Sequence, residues 1–319
     1  MKLTTIDIGT NTILMLIGEV ESSSGQINTL FDTLRIPRLG KGVDSNKNIS
    51  DESTQKAVDI LNEYKKISGE YGSNKIVAVA TSFLRDAHNK DDFINTILNE
   101  TGIKIEILTG EDEARWSFLG GVYEQLTASD SKLQICTIDI GGGSTEITTA
   151  KSLNNHASEA NLWELPIESC SINIGSVRIK EKFFFEHPPN PDRVNEAIKF
   201  INDELNKINI SLKNTKAVGV AGTITTLAAL KKGLKEYKRE EIEGMELFIA
   251  DIDELVILFS TTSLDKLYGL GSFMEGRADI ILPGALILKS FMEKYNFEKI
   301  SVSTKGLRYG ILLRETIVQ

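Results

Sequence analysis

Thr5-Ile6-Asp7-Ile8-Gly9 recurs as Thr137-Ile138-Asp139-Ile140-Gly141. Each copy is a short β-prone run that breaks at glycine, which reads as a strand entering a tight turn. Small polar residues follow in both, Thr10-Asn11-Thr12 in the first and Gly142-Gly143-Ser144-Thr145 in the second. Both copies then enter a second strand-like run, Ile13-Leu14-Met15-Leu16-Ile17 and Glu146-Ile147-Thr148-Thr149. Recurrence of five residues by chance is improbable. A duplicated domain with one hairpin per half explains it.

Helical and strand periods alternate outside the repeat. Residues 51–69 place Ala57, Ile60, Leu61, Tyr64 and Ile67 at helical spacing. Ile76 to Ala80 reads as a buried strand, 90–101 as a helix, Ile103 to Leu108 as a strand, and 110–126 as a helix opening on acids. In the second half, helices are expected at 176–185 and 192–208, then a strand at Ala217 to Val220 and a helix start at Gly222 to Leu230. Helices at 251–260 and 278–294, a strand at Lys299 to Val302 and a closing helix at 306–317 follow. Such alternation indicates an α/β fold. The polar stretch 151–161 reads as an exposed loop. At roughly 150 residues per domain, 319 residues make two domains.

Hydrophobic residues at 41% and charged residues at 25% place the chain with globular rather than disordered proteins. The net charge is -9, from 36 Lys+Arg against 45 Asp+Glu, and excludes general nucleic-acid binding, which needs a basic face. The two cysteines, Cys136 and Cys170, form no C-x-x-C pair and read as reduced core thiols. The apolar run Ile13 to Ile17 is too short for a signal or a membrane span, so no membrane role and a cytoplasmic location are expected.

The residues that could carry chemistry suit phosphate. Gly40-Lys41-Gly42 lacks the spacing of a P-loop, Gly142 to Glu146 fails the nucleophile-elbow pattern, and the three histidines are scattered. The turn Gly141-Gly142-Gly143-Ser144-Thr145 can aim successive backbone N–H groups into one concavity, because glycine allows close approach. Asp139 just before it cannot hold phosphate directly, but can hold hydrated Mg²⁺ that bridges to phosphate oxygens. Gly9-Thr10-Asn11-Thr12 with Asp7 repeats the device. In the segment Thr109-Gly110-Glu111-Asp112-Glu113, the threonine caps a helix and the acids suit its first turn, yet three acids exceed that need. One of them is left as a candidate base for water. Arg85, just after a buried strand, is a candidate phosphate clamp or else a surface partner of Asp86 or Asp91. Arg35, Arg38 and Lys41 form a basic loop without acids. Together with Arg85, Lys305 and Arg308 they could offset the acidic bulk charge locally. Ala221-Gly222-Thr223 opens a helix that could bind an anion.

These blocks together resemble the exopolyphosphatase and guanosine pentaphosphate phosphatase family, a branch of the sugar kinase, Hsp70 and actin superfamily. The matching blocks are IDIGTNT (6–12), RLGKGV (38–43), ATSFLRDAHN (80–89), TGEDEAR (109–115), IDIGGGSTE (138–146), INIGSVRIKEKF (172–183), GVAGTITTLAAL (219–230), RADIILPGALIL (277–288) and VSTKGLRYGIL (302–312). They stand in the family's order across nearly the whole chain. The resemblance implies an α/β fold of two actin-like (ribonuclease H-like) domains with an active-site cleft between them. Residues 1–128 with 304–319 would form the first domain and 129–303 the second. It implies Glu113 as catalytic base, Arg85 as a phosphate contact, and Asp139 with Glu146 nearby as the magnesium site. Both glycine turns would bind phosphate, with Arg38 and Lys41 from the basic loop.

The expected activity is Mg²⁺-dependent release of terminal orthophosphate from inorganic polyphosphate. Hydrolysis of guanosine pentaphosphate to the tetraphosphate is the alternative within the same chemistry. An ATP-binding regulator or kinase of the superfamily is the alternative of another class. The oligomeric state is left open, a homodimer included. Five positions depart from the family pattern. Asp112 replaces a glutamate, Thr10 and Thr12 replace serines, Ala221 replaces a glycine, and Lys305 replaces an arginine, which loses bidentate recognition. The chain is also expected to end after the phosphatase core, without the helical domains of longer relatives.

Overall fold

A computed structural model of the chain describes residues 1–20, 27–128, 134–151 and 165–317. Of the stretch 151–161 read as an exposed loop, all but Lys151 lies outside the described residues. The strands are β1 (Lys2–Ile8), β2 (Ile13–Val20), β3 (Ile27–Arg35), β4 (Lys75–Ala80), β5 (Ile105–Ile107), β6 (Gln134–Ile140), β7 (Thr145–Lys151), β8 (Ile167–Ile172), β9 (Thr215–Val220), β10 (Glu246–Phe248) and β11 (Lys299–Val302). The helices are α1 (Val43–Asn46), α2 (Asp51–Glu70), α3 (Ser82–Asp86), α4 (Lys90–Thr101), α5 (Gly110–Ala128), α6 (Ser176–Phe183) and α7 (Pro191–Leu205). They continue with α8 (Ala221–Lys232), α9 (Arg239–Ile242), α10 (Ile249–Thr261), α11 (Leu264–Tyr268), α12 (Ile281–Tyr295) and α13 (Leu307–Ile317).

The chain divides into two compact units. The first takes Met1–Asp130 and Gly306–Gln319, and the second includes Ser131–Ser152 and Pro166–Lys305. Each unit is built on a sheet of the same order. The first runs β3-β2-β1-β4-β5, and the second β8-β7-β6-β9-β11 with β10 added at the edge. In both, the central hairpin is antiparallel and the next strand lies parallel to its first arm. The duplicated pentapeptides occupy the same place in the two sheets, at the ends of β1 and β6.

Alternation along β1 sends its side chains to two different layers. Ile6 and Ile8, with Ile13, Met15 and Ile17 of β2, pack on Leu61 and Tyr64 of α2 and on Phe93 and Ile97 of α4. The buried Tyr64 hydroxyl donates to the Ile13 carbonyl at 2.9 Å, so the phenol is satisfied inside the layer. Leu3 and Leu16 face the other way, onto Tyr309 and Leu312 of α13.

The closing helix belongs to the first unit because glycines let it lie directly on α5. A Cβ on Gly310 would sit 1.8 Å from the Trp116 carbonyl oxygen, and one on Gly120 would sit 2.1 Å from that of Gly306. In the second unit Cys136, Ile138, Ile140 and Ile147 join the core with Ala197 and Ile201 of α7 and Leu286 and Phe291 of α12. Both cysteines are free. Burial pushes the Cys136 thiol up to about 12 and the Cys170 thiol up to about 11, so neither is a reactive thiolate near neutral pH.

Three strands are not foreseen in the sequence, β3, β8 and the three-residue β10. β3 and β8 are half-buried sheet members with mixed polar composition, and the basic loop begins only after Arg35. Among the described residues no helix is long and apolar enough to cross a membrane.

Candidate active site

In the first unit the turn after β1 is closed by the Gly9 N–H donating to the Thr12 carbonyl at 2.8 Å. Its carbonyls are held from one side by the basic loop. The Gly40 N–H donates to Thr10 O at 2.8 Å and the Arg38 N–H to Asn11 O at 3.1 Å. A Cβ on Gly40 would lie 2.3 Å from the Thr10 methyl, so the loop can approach this closely only with glycine there. The residue of the loop nearest the turn is therefore a glycine, while Lys41 beside it stays exposed.

The start of α3 closes another side. The Thr81 N–H reaches Ile8 O at 3.3 Å, and the Ser82 and Thr10 hydroxyls are 3.3 Å apart. Ser82 and Arg85 are three residues apart on that helix and share a face. Arg85 Nη1 donates to Glu113 Oε2 at 2.6 Å and to Leu108 O at 2.9 Å. Arg85 thus pairs with Glu113, and Asp86 and Asp91 are not its partners in this bond. The three acids of α5 separate by role. Asp112 serves the Thr109 cap: its N–H donates to the Thr109 hydroxyl at 3.0 Å, which donates back to its carboxylate at 2.7 Å. Glu111 is exposed, and Glu113 turns inward with 8% exposure. The shorter acid at 112 still reaches its cap, so this departure from the family pattern leaves the inward glutamate in place.

In the second unit the Gly141 N–H donates to Ser144 O at 3.0 Å, the same closure as in the first. Here the turn is backed by the start of α6. The Ser176 N–H donates to Gly141 O at 2.9 Å, and the Val177 N–H to Gly142 O at 2.9 Å. Thr145 donates its hydroxyl to Ile174 O at 2.6 Å, and Thr223 of α8 donates to Ile140 O at 3.2 Å.

Strand register decides which acids meet. Asp139 pairs across the ladder with Glu146, and Glu146 with Ser171, so one row on one face of the sheet carries two carboxylates and a hydroxyl. Glu146 is 2% exposed, and Ser171 donates to its Oε1 at 2.7 Å. The equivalent row in the first unit pairs Asp7 with Leu14 and Leu14 with Leu34. No group of three His, Cys, Asp or Glu side chains placed for a metal occurs among the described residues. Two adjacent oxygen donors nevertheless suit Mg²⁺, which keeps several waters and takes one or two carboxylates plus substrate phosphates. Asp139 and Glu146 fit that requirement, whereas Asp7 has no acid beside it in its row.

The local basic cluster is smaller than the sequence suggests. Arg35 forks onto Glu63 at the surface. Arg308 is paired with Asp32 at 2.8 Å, both largely buried. These two arginines are neutralised where they stand. Arg85 is engaged by Glu113, and Lys41 is exposed. At the mouth of α8, Ala221 takes φ 68°, a left-handed conformation that crowds a Cβ. The Arg277 guanidinium packs directly on the next residue, where a Cβ on Gly222 would lie 2.2 Å from Arg277 Nη1.

The Ppx/GppA phosphatase family matches over residues 18–317. The chain belongs to this family. It is 34% identical over 97% of its length to a bifunctional 3-dehydroquinate synthase/phosphatase of Fusobacterium nucleatum, and spans 46% of that longer relative. It is 29% identical to exopolyphosphatase 2 of Mycobacterium tuberculosis, with 98% of each protein covered. Among solved structures, the Aquifex aeolicus member of the Ppx/GppA family matches with a TM-score of 0.79 at 28% identity, covering 100% of this chain and 98% of that one. The two-unit α/β architecture is thus that of Ppx/GppA proteins, which have the actin-like fold.

Three polar side chains at these turns went unassigned in the sequence. Ser82 bonds Thr10, Ser171 orients Glu146, and Arg178 donates from Nε to Gly143 O at 2.9 Å. Each lies in or beside a matching block, but its partner is distant in sequence. Only the pairing of strands and the docking of α3 and α6 bring them together.

Proposed function

We propose that this Ppx/GppA protein hydrolyses terminal phosphoanhydride bonds, releasing orthophosphate from inorganic polyphosphate with Mg²⁺ as cofactor. The observation that carries this reading is the inward Glu113, bonded at 2.6 Å to Arg85 on a short helix that also touches the Thr10 turn. In that role Glu113 accepts the proton of the attacking water. Arg85 holds the Glu113 carboxylate in place and meets phosphate oxygens with its remaining N–H donors, a bidentate group suited to them. The N–H groups of the two glycine turns bind phosphate oxygens, and the hydroxyls of Thr10, Thr12, Ser144 and Thr145 line those turns. Asp139 and Glu146 would hold Mg²⁺, which when bound neutralises charge on the phosphate oxygens.

Guanosine pentaphosphate carries the same terminal bond, and the second half of the family's name favours it equally. Parallel kcat/KM measurements on polyphosphate and guanosine pentaphosphate, with and without Mg²⁺, test the reading. Orthophosphate release from at least one substrate, lost on chelation, is expected, and the ratio names the preferred substrate. Tight ATP binding without release from either would instead support a regulator or kinase.

A further inference from the structure

We propose that Arg178 is a positioning residue for the glycine turn of the second unit, acting through the carbonyl of Gly143. The inference rests on reading that turn as a phosphate site. Three successive carbonyls of the turn point at the start of α6. Gly141 O accepts from the Ser176 N–H at 2.9 Å and from its hydroxyl at 3.3 Å. Gly142 O accepts from the N–H groups of Val177 at 2.9 Å and Arg178 at 3.1 Å. Gly143 O accepts from Arg178 Nε at 2.9 Å. The first two are held by main chain, and the third bond comes from a side chain.

A trans peptide directs its C=O and N–H to opposite sides. Carbonyls turned toward α6 therefore turn the N–H groups of Gly142, Gly143 and Ser144 away from it. None of these three has a protein acceptor among the described residues. They form a row of donors open to an anion. The Gly143–Ser144 peptide is the vulnerable member, because glycine allows its peptide to rotate at little steric cost. If that carbonyl swings off Arg178, the Ser144 N–H swings out of the row. The guanidinium thus selects one peptide orientation and adds positive charge behind the turn.

The contact also explains Gly175. A Cβ there would lie 2.4 Å from Gly142 O, so only glycine lets α6 start close enough for Arg178 to reach. In the first unit the carbonyls of Thr10 and Asn11 accept from main-chain N–H groups of the neighbouring loop.

The test compares wild type with Arg178→Met and Arg178→Lys. Steady-state orthophosphate release, melting temperature and calorimetric binding of inorganic tripolyphosphate are measured on each. A preorganised donor row acts on the transition state, so Arg178→Met should lose about tenfold or more in kcat with little change in KM. Arg178→Lys, which can still donate to Gly143 O, should recover part of the loss. A merely structural role would lower the melting temperature while leaving kcat per folded molecule and KM unchanged, and that result would overturn the proposal. An active wild type with a fully active Arg178→Met would overturn it while leaving the hydrolase reading intact. If wild type releases no orthophosphate from either substrate, the hydrolase reading fails, and tripolyphosphate decides. Weaker binding by Arg178→Met than by Arg178→Lys supports the positioning role. Equal binding, or none by wild type, overturns it.

Discussion

The two glycine turns share a pentapeptide, a sheet position and a closing hydrogen bond, yet they are equipped for different work. The first carries hydroxyls and is backed by a loop and by α3, through which it connects to Arg85 and Glu113. The second carries glycines and is backed by α6, with Arg178 behind it and a cross-strand pair of acids beside it. At the position matching Glu146, the first unit has Leu14. Duplication supplied two equivalent turns. In the proposed reading, register and neighbouring helices give the proton-accepting group to one and the metal-binding row to the other.

The strongest blow to this division is Glu113→Gln. It keeps the side-chain shape and a bond to Arg85 but removes the base, so kcat should fall by about 10² to 10⁴. The melting temperature should drop only a few degrees. Near-normal turnover would take Glu113 out of the role and leave the first unit without its distinguishing chemistry. Next comes Gly175→Ala, which places a methyl against the Gly142 carbonyl. It should cost about 1–3 kcal/mol in chemical denaturation and depress turnover with it, because the second turn must shift to make room. An unchanged denaturation midpoint would show that α6 does not depend on that close approach.

A smaller effect is expected at Ala221, the start of α8. Ala221→Gly relieves a left-handed alanine at φ 68° and should stabilise the protein by about 1 kcal/mol, offset in part by glycine's greater freedom when unfolded. The smallest concerns His187, also in the second unit. Burial lowers its pKa, against weaker opposing pulls from the Thr262 backbone and Asp279. The folded state therefore favours the neutral ring. Its contribution is fully present above the unfolded value of about 6.5 and is lost as pH falls through the lower folded value. His187→Gln should flatten the decline in melting temperature over that acidic interval, and an identical pH profile would remove the residue from acid sensitivity.

The repeat itself announced the fold because its information is local. A strand, a glycine and small polar residues specify the hairpin wherever it sits, and its two copies imply two similar sheets. Thr109 with Asp112 was legible for the same reason, as a cap three residues long. The bond between Arg85 and Glu113 was not legible from spacing, since it depends on where α3 and α5 dock, and only the family resemblance singled out both residues. Asp139 could be read from its turn, but the meeting with Glu146 and Ser171 is a fact of register across three strands. β3 and β8 were missed because their half-buried faces carry polar residues that blur the two-residue period, and β10 because three residues are too few to show one. The basic cluster was overestimated because Glu63 and Asp32, which neutralise Arg35 and Arg308, are remote in sequence from those arginines.

The division between the turns is tested most directly by titrating Mg²⁺ against orthophosphate release in wild type, Glu146→Gln and Glu113→Gln. Glu146→Gln should need at least about tenfold more Mg²⁺ for half-maximal rate, as loss of an outer or inner donor does at metal sites. Glu113→Gln should lower the maximal rate with the Mg²⁺ midpoint unchanged. A shifted midpoint in Glu113→Gln with an unshifted one in Glu146→Gln would contradict the account.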